Sequence, residues 1–122
     1  MAQFTALVVD DVRDNREILR SGLELAGYVV DEAIDGQKAL DFLAESQVNL
    51  LVLDLGMPNM DGVTVIRALR KDPRHSNMRI LVATANPDML DDGVDLLVDY
   101  MIEKPFEMSD YLDIANRLKE SF

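Results

Sequence analysis

Short apolar runs punctuate the chain, and each one stops at a polar residue. Ala6-Leu7-Val8-Val9 ends at Asp10-Asp11, Leu50 to Leu53 at Asp54, Ile80 to Ala83 at Thr84, and Met101-Ile102 at Glu103-Lys104-Pro105. The Leu50 to Leu53 run, without alternation, suits a parallel strand covered on both faces. Tyr28 to Ala33 instead alternates apolar and acidic residues, which predicts a more exposed strand. Helical spacing fills the gaps. Residues 14–26 predict a helix with Ile18, Leu19, Gly22, Leu25 and Ala26 on one side, stopped by Gly27. Asp35-Gly36 turns into a helix over 37–45 that uses Ala39, Leu40 and Leu43. Helices over 62–71, with Val63, Ile66, Ala68 and Leu69, and over 108–120, with Tyr111, Leu112, Ile114, Ala115 and Leu118, complete the pattern. Asp72 to Asn77 reads as a polar loop.

Repeated β/α units imply an α/β fold, a parallel sheet with helices on both faces. Crossovers in such sheets are right-handed, and ligands gather outside the carboxyl ends of the strands. The strand exits are therefore where chemistry is expected: Asp10, Asp11, Asp54, Thr84 and Lys104. One connection breaks the rhythm. In NPDMLDDGVDLLVD, residues 86–99, Asn86-Pro87 makes a credible helix start. The rest carries Asp88, Asp91, Asp92, Asp95 and Asp99 with no base, and acids near a helix C-terminus oppose the macrodipole. Gly93 inside it costs about 1 kcal/mol relative to Ala. A short, frayed or displaced fourth helix is expected there.

Composition narrows the function. A chain of 122 residues suits one domain, 1–122. Its 23 acids against 12 bases give a net charge of -11, which argues against nucleic-acid and anionic-membrane partners. Cysteine is absent, so disulfides, thiolate catalysis and cysteine-ligated metals are excluded, and a cytoplasmic location fits. The start, MAQFTALVVDD, lacks the basic region of a signal peptide. No apolar run approaches the roughly 20 residues that span a membrane. The single histidine, His75, rules out a multi-histidine metal site and reads as a surface loop residue. The seven methionines show no helical stripe and read as core filler.

Three acids, a hydroxyl and a lysine thus fall on one edge of the sheet. Carboxylates brought together repel one another unless a cation joins them. Oxygen-only ligands suit a hard divalent ion, above all Mg²⁺. An aspartate can then act as a nucleophile toward phosphorus and form an acyl phosphate, with the metal and an ammonium neutralising the transferring group. Taken singly, each residue has a plainer reading. Asp10-Asp11 would cap a helix, Asp61-Gly62 is a turn and helix start, Thr84 satisfies backbone at a strand end, and Lys104 is a solvated lysine.

In this order, VVDD (8–11), LDLGMPNMDG (53–62), VATA (82–85) and EKPF (103–106) make the chain resemble a receiver domain of a two-component response regulator, of the stand-alone, single-domain type. The resemblance covers the whole chain. It implies a flavodoxin-like (βα)5 doubly wound sandwich with strand order 2-1-3-4-5. It places the phosphate acceptor on Asp54. It places metal ligation on Asp11, on Asp10 mainly through water, on Asp54 and on the Gly56 carbonyl. Thr84 and Lys104 would contact the phosphoryl group, and Lys104-Pro105 would be a cis peptide. Mg²⁺ is the implied cofactor, and a histidine kinase or histidine phosphotransfer protein the implied donor. The downstream partner would be another protein, or the domain a phosphate sink. On this reading the chain is not an enzyme beyond its own phosphorylation and dephosphorylation.

Two departures from the family stand out. The position three before the lysine, commonly a switching aromatic, is Met101. Tyr100 is its neighbour, and neighbours in a strand face opposite sides, so it is no simple substitute. The segment 86–99 also lacks the customary Gly-Ala-Asp before the last strand. Two rival readings are a pseudo-receiver that is never phosphorylated and a Mg²⁺-dependent phosphatase with an aspartyl nucleophile. The phosphatase class wants its second acid two residues after the first, where this chain has adjacent acids, and it wants a cap domain.

Overall fold

The unbroken apolar runs become the middle of one parallel sheet. The computed structural model describes residues 3–91 and 93–122. In chain order the elements are β1 Phe4–Val9, α1 Arg13–Leu25, β2 Tyr28–Ala33, α2 Gly36–Glu45, β3 Leu50–Leu53, α3 Gly62–Arg70, β4 Arg79–Thr84, β5 Tyr100–Glu103 and α4 Met108–Lys119. All strand pairs are parallel, in the order β2-β1-β3-β4-β5. This is the doubly wound order that the family resemblance implies.

Strand side chains alternate across the sheet, and the core divides accordingly. Leu7, Val9, Leu51, Leu53, Ile80 and Val82 face α2 and α3, packing on Leu43, Val65, Ile66 and Leu69. Ala6, Val8, Leu50, Val52, Leu81 and Ala83 face α1 and α4, packing on Leu19, Leu23, Tyr111 and Ala115. Full burial of such branched side chains contributes about 1.5–3 kcal/mol each. The edge strand β2 buries Tyr28, Val30 and Ala33 and exposes the rest, as its alternation foretold.

Helix starts follow from side-chain caps. Asp35 accepts the Lys38 N–H at 2.8 Å and Asp61 accepts that of Thr64 at 2.9 Å, so α2 and α3 begin at the following glycines. Two buried phenols tie α1 to α4 and the sheet edge. Tyr111 donates to the Leu19 carbonyl and Tyr28 to that of Ala115, each at 2.7 Å. Burial pushes both phenols above the ordinary tyrosine range.

Three expectations need correction. On α1 the buried stripe is Leu19, Gly22, Leu23 and Ala26, while Ile18 and Leu25 are 50% and 77% exposed. The predicted face was rotated, because the stripe is set by the close approach of Tyr111 to Gly22, where an added Cβ would lie 2.6 Å from the ring. On α3 Val65 is buried beside Ile66 and Leu69, while Ala68 is exposed. His75 is no surface residue. Asp72 caps a 3-10 turn, Pro73–His75, that swings the ring inward until it is 2% exposed. Its Nε2 donates to the Leu43 carbonyl at 2.9 Å. Arg74 hydrogen-bonds Asp72 and holds its carboxyl down at about 2.

Between β4 and β5 no α-helix forms among the described residues. Two 3-10 turns, Pro87–Met89 and Asp95–Leu97, make an irregular strap instead. The strap buries Val94 against the α3 side of the sheet. Arginines of α3 hold it. Arg67 meets Asp91 at 3.4 Å, and the largely buried Arg70 donates to the Leu97 carbonyl at 2.9 Å and pairs with Asp99 at 3.2 Å. Arg70 also donates to the Met78 carbonyl at 2.8 Å. Two of the acids that disfavour a helix, Asp91 and Asp99, thus find their partners on another element. Arg70→Met is expected to lower unfolding free energy by about 1–3 kcal/mol by leaving these carbonyls unsatisfied. Hydrogen exchange should quicken in residues 94–99 before the sheet; a thermal melt with site-resolved exchange checks both.

Candidate functional site

The strand register brings the sequence-singled residues together. Val9 pairs with Leu53, so Asp10 and Asp54 leave neighbouring strands side by side, and the Asp54 N–H donates to the Val9 carbonyl at 3.1 Å. Carboxylate oxygens of Asp10, Asp11 and Asp54 all lie within 4.8 Å of one another. Asp10 is fully buried, Asp54 is 9% exposed and Asp11 is open to solvent. Lys104 arrives from β5, the Lys104-Pro105 bond being cis. Its ammonium donates to Asp10 at 2.6 Å and to Asp54 at 3.3 Å. The side chains of this pairing are 0–16% exposed, so solvent screens it little.

Backbone groups complete the cradle. Asp10 Oδ1 accepts the Val12 N–H at 2.9 Å, and Asp54 Oδ1 accepts the Gly56 N–H at 3.2 Å. Thr84 is buried at the end of β4, its hydroxyl oxygen accepting the Asn86 N–H at 3.0 Å, and its carbonyl accepts the Lys104 N–H at 2.9 Å. Gly62 lets α3 begin hard against the Asp54 loop, for a Cβ there would sit 2.5 Å from the Asp54 carbonyl oxygen. A Cβ on Gly56 would meet the Asn86 amide nitrogen at 3.0 Å.

Met101 and Tyr100 stand apart from this cluster. Met101 is in register with Val82 and Tyr100 with Leu81, so they face opposite sides of the edge strand. They are 42% and 38% exposed.

Three carboxylates against one ammonium leave two negative charges at the sheet edge. An all-oxygen set with that residual charge fits a hard divalent cation, which prefers few carboxylates and retains water. Asp10, Asp11 and Asp54 offer side-chain oxygens, and the Gly56 carbonyl follows on the same loop. A nucleophilic oxygen, an ammonium and a hydroxyl around a cation site are the parts that phosphoryl transfer to a carboxylate requires.

Comparison with known proteins agrees. The family described as the response regulator receiver domain matches residues 6–116. The response regulator MprA of Mycobacterium avium is 42% identical over 108 residues, covering 87% of this chain and 46% of that protein. The DNA-binding dual master transcriptional regulator RpaA of Synechocystis is 35% identical over 108 residues, covering 87% of this chain and 45% of that protein. Among solved structures, the chemotaxis response regulator CheY4 of Vibrio cholerae superposes with a TM-score of 0.86 at 27% identity, covering 96% of this chain and 99% of that one. The response regulator TrrA of Thermotoga maritima, in complex with Mg²⁺-BeF, gives 0.85 at 29% identity, covering 94% and 98%. The chain spans less than half the length of these curated relatives. It belongs to the response regulator receiver domain family of two-component systems.

Sequence reasoning missed one neighbour of the site: Arg16 of α1 donates to the Asp10 carbonyl at 2.9 Å. Arg16 carries a signal in retrospect: it sits one turn beyond the start of a helix that follows directly on the acidic pair. Gly62→Ala is expected to cost about 1–3 kcal/mol through overpacking against backbone. It should also move the amide NMR signals of Asp54 to Gly56 more than those of α4; a melt and an amide spectrum check this.

Proposed function

We propose that the chain, residues 1–122 acting as one receiver unit, accepts a phosphoryl group on Asp54 from a partner phosphohistidine and signals through protein contact. The observation that carries this reading is the Asp10–Asp11–Asp54 cluster joined by Lys104 at a parallel-sheet edge. The donor is a histidine kinase or histidine phosphotransfer protein. A soluble signalling role in the cytoplasm is consistent with the lack of any helix, among the described residues, long and apolar enough to cross a membrane. A net charge of -11 favours protein over nucleic-acid contact for this unit.

Asp54 Oδ attacks phosphorus, the new O–P bond forms as the donor's N–P bond breaks, and the released imidazole nitrogen takes up a proton from solvent. Mg²⁺ held by Asp10, Asp11, Asp54 and the Gly56 carbonyl would neutralise charge on the phosphoryl oxygens. Lys104 already bonds both Asp10 and Asp54, so its ammonium needs only a change of partner to pair with the phosphoryl group. Thr84, buried beside it, supplies a hydroxyl donor to the same group. Asp54 resides on a rigid strand end, which keeps the nucleophile oriented. Turnover of a separate substrate is not part of this role.

With Mg²⁺ and acetyl phosphate, intact mass should rise by one phosphoryl group in the wild type and stay unchanged in Asp54→Asn. An unlabelled wild type that also binds no Mg²⁺ would favour the pseudo-receiver reading, and hydrolysis of generic phosphate esters the phosphatase one. A second outcome tests the charge balance. Lys104→Met strips the ammonium from a buried carboxylate and should destabilise the protein by about 3–5 kcal/mol. Millimolar Mg²⁺ should restore much of the lost melting temperature by binding the native state alone.

A further inference from the structure

The arginines of α1 are not alike. Arg13 pairs with Glu17 at the surface, where the side chains are 81% and 56% exposed. Arg20 pairs with Glu24 and Glu32 with its side chain 43% exposed. Arg16 is only 14% exposed and reaches back six residues to donate to the Asp10 carbonyl at 2.9 Å, while its Nε meets Glu32 of β2 at 3.4 Å. That carbonyl belongs to the peptide joining Asp10 to Asp11. Its orientation sets the direction in which the Asp11 side chain leaves the backbone.

Asp10 has other supports. Its carboxylate is held by Val12 N–H and by Lys104. Asp11 has none of this kind: among the described residues no side chain or N–H group bonds its exposed carboxylate. Its place within 4.8 Å of Asp10 and Asp54 depends on the main chain beneath it. Glu32 is in turn fixed by β2, in register with Val8 of β1, and shared with Arg20.

We propose that Arg16 is a positioning residue for the acidic pair: anchored on Glu32, it grips the Asp10 carbonyl and so sets Asp11 for the divalent cation. The inference rests on the receiver reading above. It makes Mg²⁺ affinity depend on a side chain outside the ligand set, as outer-shell partners of metal ligands do. Charge and position act here with opposite signs. A guanidinium beside an acidic cluster repels a cation, so by Coulomb's law alone its removal tightens Mg²⁺ binding. Loss of positioning weakens it.

The test is a Mg²⁺ titration of the full chain, followed by the amide signals of Asp11 and Gly56, beside thermal melts. Arg16→Gln should weaken Mg²⁺ binding about tenfold, the lower end of the effect of outer-shell substitutions. Phosphorylation by acetyl phosphate should slow at limiting Mg²⁺ and recover at saturating Mg²⁺. Arg20→Gln removes the same charge from the same helix and the same glutamate without touching Asp10, and should leave affinity unchanged or tighter. Arg16→Lys keeps the charge but loses the fork that spans Glu32 and Asp10, and should fall between wild type and Arg16→Gln. It also decides the matter should Arg16→Gln not fold. Unchanged or tighter binding in Arg16→Gln, wild-type affinity in Arg16→Lys, or equal losses in Arg16→Gln and Arg20→Gln each overturn the proposal. A wild type that binds no Mg²⁺ overturns the receiver reading instead, and is recognised before any variant is made.

Discussion

Everything at the working edge of this sheet follows from the cost of gathering like charges. Asp10 and Asp54 leave adjacent buried strands, and Asp11 joins them from the turn. The lysine that bridges the first two lies 94 residues beyond Asp10 and 50 beyond Asp54 in sequence. Without a cation, carboxylates this close repel, and burial of Asp10 deepens the penalty. The fold answers with one ammonium and leaves room for more positive charge. Stability and function therefore meet in a single electrostatic balance, tipped by whatever binds.

The rest of the architecture serves that balance by holding the acids still. Parallel register aligns the strand exits, two cores clamp the sheet from either side, Gly62 sets the start of α3 against the acceptor's backbone, and Gly56 lets Asn86 approach the loop that follows it. Arg16 extends the same support outward to β2 through Glu32. A nucleophile on so rigid a frame needs little reorganisation when it reacts.

Much of this was legible in the chain. The central strands β1, β3 and β4 announce themselves because burial on both faces leaves each with an unbroken run of four apolar residues. The acids stand out because they follow such runs, and Lys104 because it closes the short Met101-Ile102 strand beside Pro105. The irregular connection before β5 was also visible, since uncompensated aspartates and a glycine oppose a helix. Other features were hidden because they depend on distant partners. The rotation of α1 is set by Tyr111, and no spacing within α1 encodes that ring. The inward turn of His75 depends on a carbonyl of α2, 32 residues earlier. Arg16 looks like any helical arginine until its carbonyl partner is placed.

The strap between β4 and β5 differs from a helix in more than shape. A helix in that position would slide or tilt as a rod, since each turn is bonded to the next. The strap is fastened at separate points, by Arg67 near its middle and Arg70 at its end, with Val94 as a peg between them. Each fastening can be undone without the others, and the Arg67–Asp91 clasp lies open to screening by salt. Rearrangement on this flank of the molecule can therefore proceed stepwise, one clasp at a time.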